Sequence, residues 1–335
     1  MISVILPAYN ASNFIAESIN SILNQTYEDF ELIIVNDGSK DQTEEIVNSF
    51  KDSRIKLVNN DSNMGIVFSL NKAIAISKGK FIARMDSDDI AMEGRLAKQI
   101  EYLHNNNLEI CGCSIKTFGS MEKTITYPEL IEDVRFFSIF GSPLAHPTVL
   151  GYANLFKKYF YNNVVAEDYD LWTRMLIDGV RIGSMQDSLL NYRVHPGQIT
   201  LDKSDIIESS INISKKYIDS YIDDLEIRNQ LNDSNCFMSG NYKRKEINSF
   251  LKKIMIFAKK NQISNSMKCR AINIIFARAS SYNLLTLVSY IKVLKSIDSR
   301  VLVNINKRLA LLLILSINKN SKLGLLLSRI FKKYY

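Results

Sequence analysis

Over the first hundred residues, short apolar runs alternate with stretches whose apolar positions recur every three or four residues, and the two periods predict different elements. The runs Val4 to Leu6, Leu32 to Val35, Ile55 to Val58 and Phe81 to Met85 predict strands. Ile15, Ile19, Ile22 and Leu23 predict one amphipathic helix, and Ile66, Leu70, Ala73 and Ile74 a second with Gly79 as its stop. Asp41 followed by Glu44 predicts a capping box that opens a helix between the second and third strands. Alternation of this kind predicts a parallel sheet wrapped by helices, an α/β architecture that binds ligands beyond the carboxyl ends of its strands.

Further along, Leu144 to Leu150 and Leu189 to Val194 predict strands, and Asp168 to Asp178 predicts a helix ended by Gly179. These are expected to complete the same domain, which is read as positions 1–200. From 201 to 335 the pattern is helical without a strand signal, predicting a helical C-terminal appendage. Its most apolar run, Leu309 to Leu315, gives way to Ser316, Asn318 and Lys319. A span needs about 20 apolar residues, so a buried or interfacial helix is expected there.

Charge sharpens that division. Positions 241–335 carry 20 Lys or Arg against Glu246 and Asp298, a net +18, whereas positions 1–240 carry 22 bases and 33 acids, a net −11. Two such parts meet different partners. The basic part, with its leucine-rich stretches, predicts contact with the anionic inner face of a membrane; packing against a second copy as a homodimer is the alternative. It holds no finger, repeat or other recognised nucleic-acid motif, and nucleic acid is not expected as a partner. The four cysteines, Cys111, Cys113, Cys236 and Cys269, form no C-x-x-C pair, and no basic leader precedes the first strand. A reduced, cytoplasmic compartment is the expectation, with Cys111 and Cys113 as strand residues.

The chemistry-bearing residues follow the predicted strands: Pro7-Ala8-Tyr9-Asn10, Asn36-Asp37-Gly38-Ser39 and Asp86-Ser87-Asp88-Asp89. In parallel strands these converge on one edge. Three carboxylates in four residues suit a hard divalent cation, Mn²⁺ or Mg²⁺, bound through oxygen; a solvated acidic turn capping the helix of Leu96, Ile100 and Leu103 is the other reading. The position after a buried strand favours the cation. Glu167, Asp168 and Asp170 stand at a predicted helix start, where one could act as a base or Asp168 could be an ordinary N-cap. His146 and His195, each before a proline, are either buried structural imidazoles or site residues. Neither G-x-G-x-x-G nor G-x-x-x-x-G-K-[ST] occurs, which weighs against dinucleotide oxidoreductases and P-loop enzymes.

Taken in order, Val4-Ile5-Leu6-Pro7-Ala8-Tyr9-Asn10, Ser21 to Thr26, Phe30 to Ser39, Asn63-Met64-Gly65, Arg84 to Asp89, His146-Pro147-Thr148, Glu167 to Trp172 and Tyr192-Arg193-Val194-His195 resemble family 2 glycosyltransferases over about positions 2–200. The resemblance implies a GT-A fold, in which a nucleotide-binding sheet is flanked by helices, and inverting transfer from a nucleotide-sugar, a UDP-sugar above all, to a glycan or lipid-linked glycan acceptor of the bacterial surface-polysaccharide type. By the same resemblance Pro7, Ala8, Tyr9 and Asp37 contact the base or ribose, with Asn63, Gly65 and Arg84 among the substrate-binding residues. Asp86 and Asp88 bind the metal, Asp88 as its leading ligand and His195 as a third. Asp168 is the base with Glu167 beside it, and His146 lies near a sugar. A non-catalytic glycan-binding scaffold and a sugar nucleotidyltransferase are the rival classes. Against them stand the intact Asp88 and Asp168 and the missing G-x-G-T-R loop.

Overall fold

The computed structural model describes residues 1–195, 204–233 and 244–277. The chain divides into two compact units, residues 1–134 with 142–206, and residues 135–141 with the chain from 207.

The first unit is built on one sheet, nine-stranded among the described residues, in the order β3-β2-β1-β4-β8-β6-β9-β5 with β7 (Lys123–Ile125) on β6. Its parallel half is β1 (Ile2–Ala8), β2 (Phe30–Asn36), β3 (Ile55–Asn59) and β4 (Phe81–Arg84). β1 lies between β2 and β4, covered on both faces, and therefore reads as a nearly continuous apolar run. The register Ala8↔Asn36 and Ile5↔Arg84 brings the three polar loops to one edge, as the strand pattern predicts. On one face α1 (Ile15–Leu23) and α4 (Arg95–Asn105) bury Ile15, Ile19, Ile22, Leu96 and Leu103 against Val4, Leu6, Leu32, Ile34 and Ala83. The other half of the sheet is mixed: β8 (Leu150–Tyr152) runs antiparallel to β4 and β6 (Ile110–Gly119), whereas β9 (Ile182–Val194) is parallel to β6 and antiparallel to β5 (Ile90–Ala91). Cys111 and Cys113 are buried strand residues of β6 whose thiols burial pushes up, which suits a structural role.

Several local expectations need correction. Leu144 to Leu150 is not a strand, because Pro147 has no N–H to pair and instead starts a 3₁₀ turn, His146–Thr148, ahead of the short β8. The capping box does not form. Helix α2 (Thr43–Ser49) starts after Gln42, Glu44 takes a hydrogen bond from Asn59, and Asp41 accepts from Thr43 and, across the loops, from Ser12. Helix α3 (Ile66–Ile76) stops at Ser77, two residues before Gly79, which is needed for close approach to β1 because a Cβ there would sit 2.5 Å from the Ser3 nitrogen. Gly179 does end α7 (Glu167–Ile177), with φ +83° and Val180 N–H closing onto the Met175 carbonyl.

The second unit is helical where described: α8 (Ser204–Tyr221), α9 (Leu225–Asp233), α10 (Arg244–Lys260) and α11 (Asn265–Ala277). Asp224 caps α9, Ser214 and Tyr217 donate to the carbonyls of Ile139 and Arg135, and Tyr217 stacks on Tyr221. Among the described residues no helix is long and apolar enough to cross a membrane. The runs Leu309 to Leu315 and Leu323 to Leu327 lie outside the described residues.

Candidate active site

The loops after β1 and β2 are stitched into one surface. Asn10, itself at φ 48°, donates its N–H to Ser39 Oγ and accepts from the Lys40 N–H, while Ala11 N–H meets Thr43 Oγ1 and Ser12 N–H meets Asp41 Oδ2. Burial raises Asp41, but the hydrogen bonds from Thr43 and Ser12 outweigh it and hold the carboxyl at about 2. Asp37 is buried, and its carboxylate gathers the next loop: it accepts from Asn60 Nδ2 at 2.7 Å, Met64 N–H at 2.9 Å and Gly65 N–H at 2.9 Å. Asn63 Oδ1 shares the Gly65 N–H. Gly38, at φ +68°, permits this closure, since a Cβ would lie 2.5 Å from the Ser62 carbonyl carbon. The aromatic ring of Tyr9 and the side chain of Met64 stay 45% and 51% exposed on this surface.

After β4 the chain turns through Asp86, Asp88 and Asp89, whose carboxylate oxygens lie within 4.8 Å of one another. Each carboxylate is held from a different side. Arg84 Nη1 is 2.5 Å from Asp86 Oδ2, His195 Nε2 is 2.9 Å from Asp88 Oδ2, and Asp89 Oδ1 accepts the Arg193 N–H at 2.9 Å. Arg193 further donates to the Asp88 carbonyl, pairs with Glu17 and lies between the rings of Phe14 and Phe118. Burial and the two neighbouring carboxylates push Asp89 well above the usual range, and its buried Oδ2 has no hydrogen-bond partner among the described residues. A buried carboxylate oxygen without a donor, in a set of hard oxygen ligands, fits a divalent cation.

The second acidic group stands at the start of α7. Ala166 enters the helix in the left-handed region, φ 62° and ψ 48°, and no side chain caps it, so Asp168 is not an N-cap. Instead Asp168 Oδ2 accepts from Ser142 Oγ at 3.0 Å. Burial raises Asp168, and burial together with the adjacent Asp168 raises Glu167 to about 7. His146 is held neutral by burial and by Arg84; its Nε2 meets the Tyr161 hydroxyl at 2.8 Å and its Nδ1 lies 3.7 Å from Glu167 Oε1. Tyr161 is delivered by Asn71, which exchanges two hydrogen bonds with its backbone.

One buried cation links the two acidic groups. Arg84, 3% exposed at the end of β4, pairs with Asp86 and lowers the proton affinity of Glu167 and Asp168 through space. Every sequence-predicted site residue lies in the first unit: Pro7, Ala8, Tyr9, Asp37, Asn63 and Gly65 at the carboxyl ends of β1, β2 and β3 and the loops that follow, and Arg84, Asp86, Asp88, His146, Glu167, Asp168 and His195 around the acidic turn. Asp89, one of the three carboxylates of the acidic turn, and Arg193, within the Tyr192 to His195 motif, join them, as do Arg95, Ser142 and Tyr161, which carry no sequence signal.

Comparison with known proteins places the fold. The sequence pattern of Glycosyl transferase family 2 matches residues 3–163. The O-antigen biosynthesis glycosyltransferase WbnJ of Escherichia coli is 36% identical over 207 residues, covering 58% of this chain and 80% of that protein. The UDP-Glc:alpha-D-GlcNAc-diphosphoundecaprenol beta-1,3-glucosyltransferase WfaP of Escherichia coli is 30% identical, covering 64% and 86%. Among solved structures, S. aureus TarS 1-349 in complex with UDP-GlcNAc superposes with a TM-score of 0.59 over 89% of this chain and 90% of that one at 18% identity, a likeness of fold. The sheet is that of the GT-A glycosyltransferases, and with two acidic groups set at the carboxyl edge of a sheet so matched, the chain belongs to glycosyltransferase family 2.

Proposed function

We propose that this glycosyltransferase is metal-dependent and inverting, and that it moves a hexose or N-acetylhexosamine from a UDP-sugar to a hydroxyl of a lipid-linked glycan in surface-polysaccharide synthesis, of the capsule or O-antigen type. The observation that carries the reading is the pairing of an oxygen-rich turn, Asp86 to Asp89, with a separate raised carboxylate pair, Glu167 and Asp168, around Arg84. The donor and acceptor classes are supported by what WfaP is named for and by the UDP-GlcNAc bound to TarS.

In this reading Pro7, Ala8, Tyr9 and the Met64-Gly65 backbone presented by Asp37 and Asn63 receive the nucleoside. Asp86, Asp88 and Asp89, with His195 against Asp88, would hold Mn²⁺ or Mg²⁺, which offsets charge on the departing diphosphate when bound. Asp168, oriented by Ser142, takes the proton of the acceptor hydroxyl. The acceptor oxygen then bonds to the anomeric carbon from the face opposite the leaving group, the carbon–oxygen bond to the diphosphate breaks, and UDP departs with inversion at that carbon. Neutral His146, tied to Tyr161 and facing Glu167, borders the sugar as a hydrogen-bonding wall. Calorimetry of UDP with and without Mn²⁺ tests the nucleotide and metal sites. Binding strengthened by Mn²⁺ in the wild type and not in Asp88→Asn is expected; binding indifferent to Mn²⁺ in both overturns the assignment.

The basic part, net +18 over positions 241–335, is proposed to hold the enzyme peripherally on an anionic membrane surface, each nearby Lys or Arg contributing roughly 1 kcal/mol. Pelleting with anionic but not neutral vesicles, reversed by salt, is expected. Equal pelleting with both vesicle types leaves that part to subunit or internal packing.

A further inference from the structure

Beneath the acidic turn lies a pair of side chains buried from solvent. Arg95, the first residue of α4, and Gln99, one turn later, are each 0% exposed. Arg95 Nη2 donates to the Arg84 carbonyl at 2.6 Å, its Nη1 lies 3.3 Å from Met85 Sδ, and its Nε donates to Gln99 Oε1 at 3.0 Å. Since Oε1 takes the Arg95 proton, the Gln99 amide nitrogen faces the other way and donates to the Thr148 carbonyl at 2.8 Å. One end of this chain of bonds is therefore the last carbonyl of β4, two residues before Asp86, and the other is the last carbonyl of the His146–Thr148 turn.

Arg95 is a poor choice for packing alone. Burying a guanidinium without an ion-pair partner is costly, and Arg95 makes no ion pair among the described residues. A cation in the first turn of a helix also opposes the helix dipole. An aliphatic residue would fill the same space without either penalty. What the guanidinium adds is a rigid planar fork that grips a specific carbonyl, and a positive charge within electrostatic reach of Asp86 and Asp89.

We infer that Arg95 and Gln99 form a strut that fixes the Asp86–Asp89 turn and the His146–Thr148 turn relative to each other, making both positioning residues for sugar transfer. The inference rests on the proposed reading of those two turns as the metal and sugar sides of the site. One substitution cuts both Gln99 bonds and another cuts the Thr148 bond alone. Gln99→Met keeps the length and loses both bonds. Gln99→Glu still accepts from Arg95 but, as a carboxylate, cannot donate to the Thr148 carbonyl.

The test is steady-state transfer by both variants and the wild type, with Mn²⁺ titrated and the folded state verified by near-ultraviolet circular dichroism. For Gln99→Met we expect kcat to fall about tenfold or more and the Mn²⁺ half-saturation to rise several-fold, while the donor KM stays within about twofold because the β1 and β2 loops are untouched. For Gln99→Glu we expect the same loss of kcat with an unraised Mn²⁺ half-saturation, since the Arg84 arm persists. Folded variants with wild-type kcat, or a loss expressed as lower melting temperature at unchanged kcat, overturn the strut; should Gln99→Met not fold, Gln99→Glu alone decides by the same kcat criterion. A wild type indifferent to Mn²⁺ and chelator overturns the metal reading instead, and the kcat comparison still decides the strut.

Discussion

Replacing Arg84 by methionine removes the cation shared by the two acidic groups while keeping most of the side-chain volume. The guanidinium is buried and lies 2.5 Å from Asp86, whose side chain is 25% exposed. Breaking a fully buried ion pair costs about 3–5 kcal/mol; with Asp86 a quarter open to water the loss is discounted to about 2–4 kcal/mol. At about 2–4 °C per kcal/mol for a unit of this size, the melting temperature should fall by about 4–16 °C. Trp172, the single tryptophan, is fully buried in the same unit and T-shaped against His146, so its fluorescence reports this unfolding. The melt is run with chelator, because a bound ion would add its own linkage. Arg84→Met/Asp86→Asn, which leaves no orphaned charge, should recover part of the loss, with a coupling of about 1 kcal/mol or more. Arg84→Met melting within about 2 °C of the wild type, or strictly additive effects, would refute the argument.

Three further outcomes follow from the geometry. A general base works ionised, so kcat/KM should rise with pH through an acidic limb that burial of Asp168 places above the usual carboxylate range; a rate that falls as pH rises through that limb contradicts the assignment. Asp168→Asn should lose about a hundredfold or more in kcat, whereas Glu167→Gln removes a like charge and should move the limb to lower pH, both read from pH–rate profiles. Gly38→Ala places a Cβ at φ +68° and 2.5 Å from Ser62, so a loss above about 1–2 kcal/mol in urea midpoints together with weaker UDP binding is expected, and unchanged UDP affinity would separate this loop from the nucleotide site.

The parallel half of the sheet is legible because β1, β2 and β4 are buried on both faces and must be apolar throughout, and because loops at their carboxyl ends carry the polar residues. The mixed half is not. β8 is three residues long and β5 two, too short for a period, and Pro147 turns an apolar run into a 3₁₀ turn. Asp86, Asp88 and Asp168 stand out as carboxylates near element ends, whereas Arg95 and Gln99 have the spacing of a solvated helix face and are nonetheless buried. Only the fold tells that face from an exposed one. Asp168 escapes capping because Ala166 takes a left-handed conformation, which nothing in an alanine announces.

The central claim is metal-dependent sugar transfer with inversion at a site built from Asp88 and Asp168. Proton NMR of reactions containing Mn²⁺, a panel of UDP-sugars and a lipid-linked glycan acceptor reads donor consumption and the anomeric configuration of the product in one experiment. The account predicts an inverted linkage formed by the wild type, abolished by chelator and by Asp88→Asn, and reduced about a hundredfold or more in Asp168→Asn. Transfer that keeps the donor's configuration, or that proceeds undiminished in the chelated enzyme and in Asp168→Asn, would contradict it.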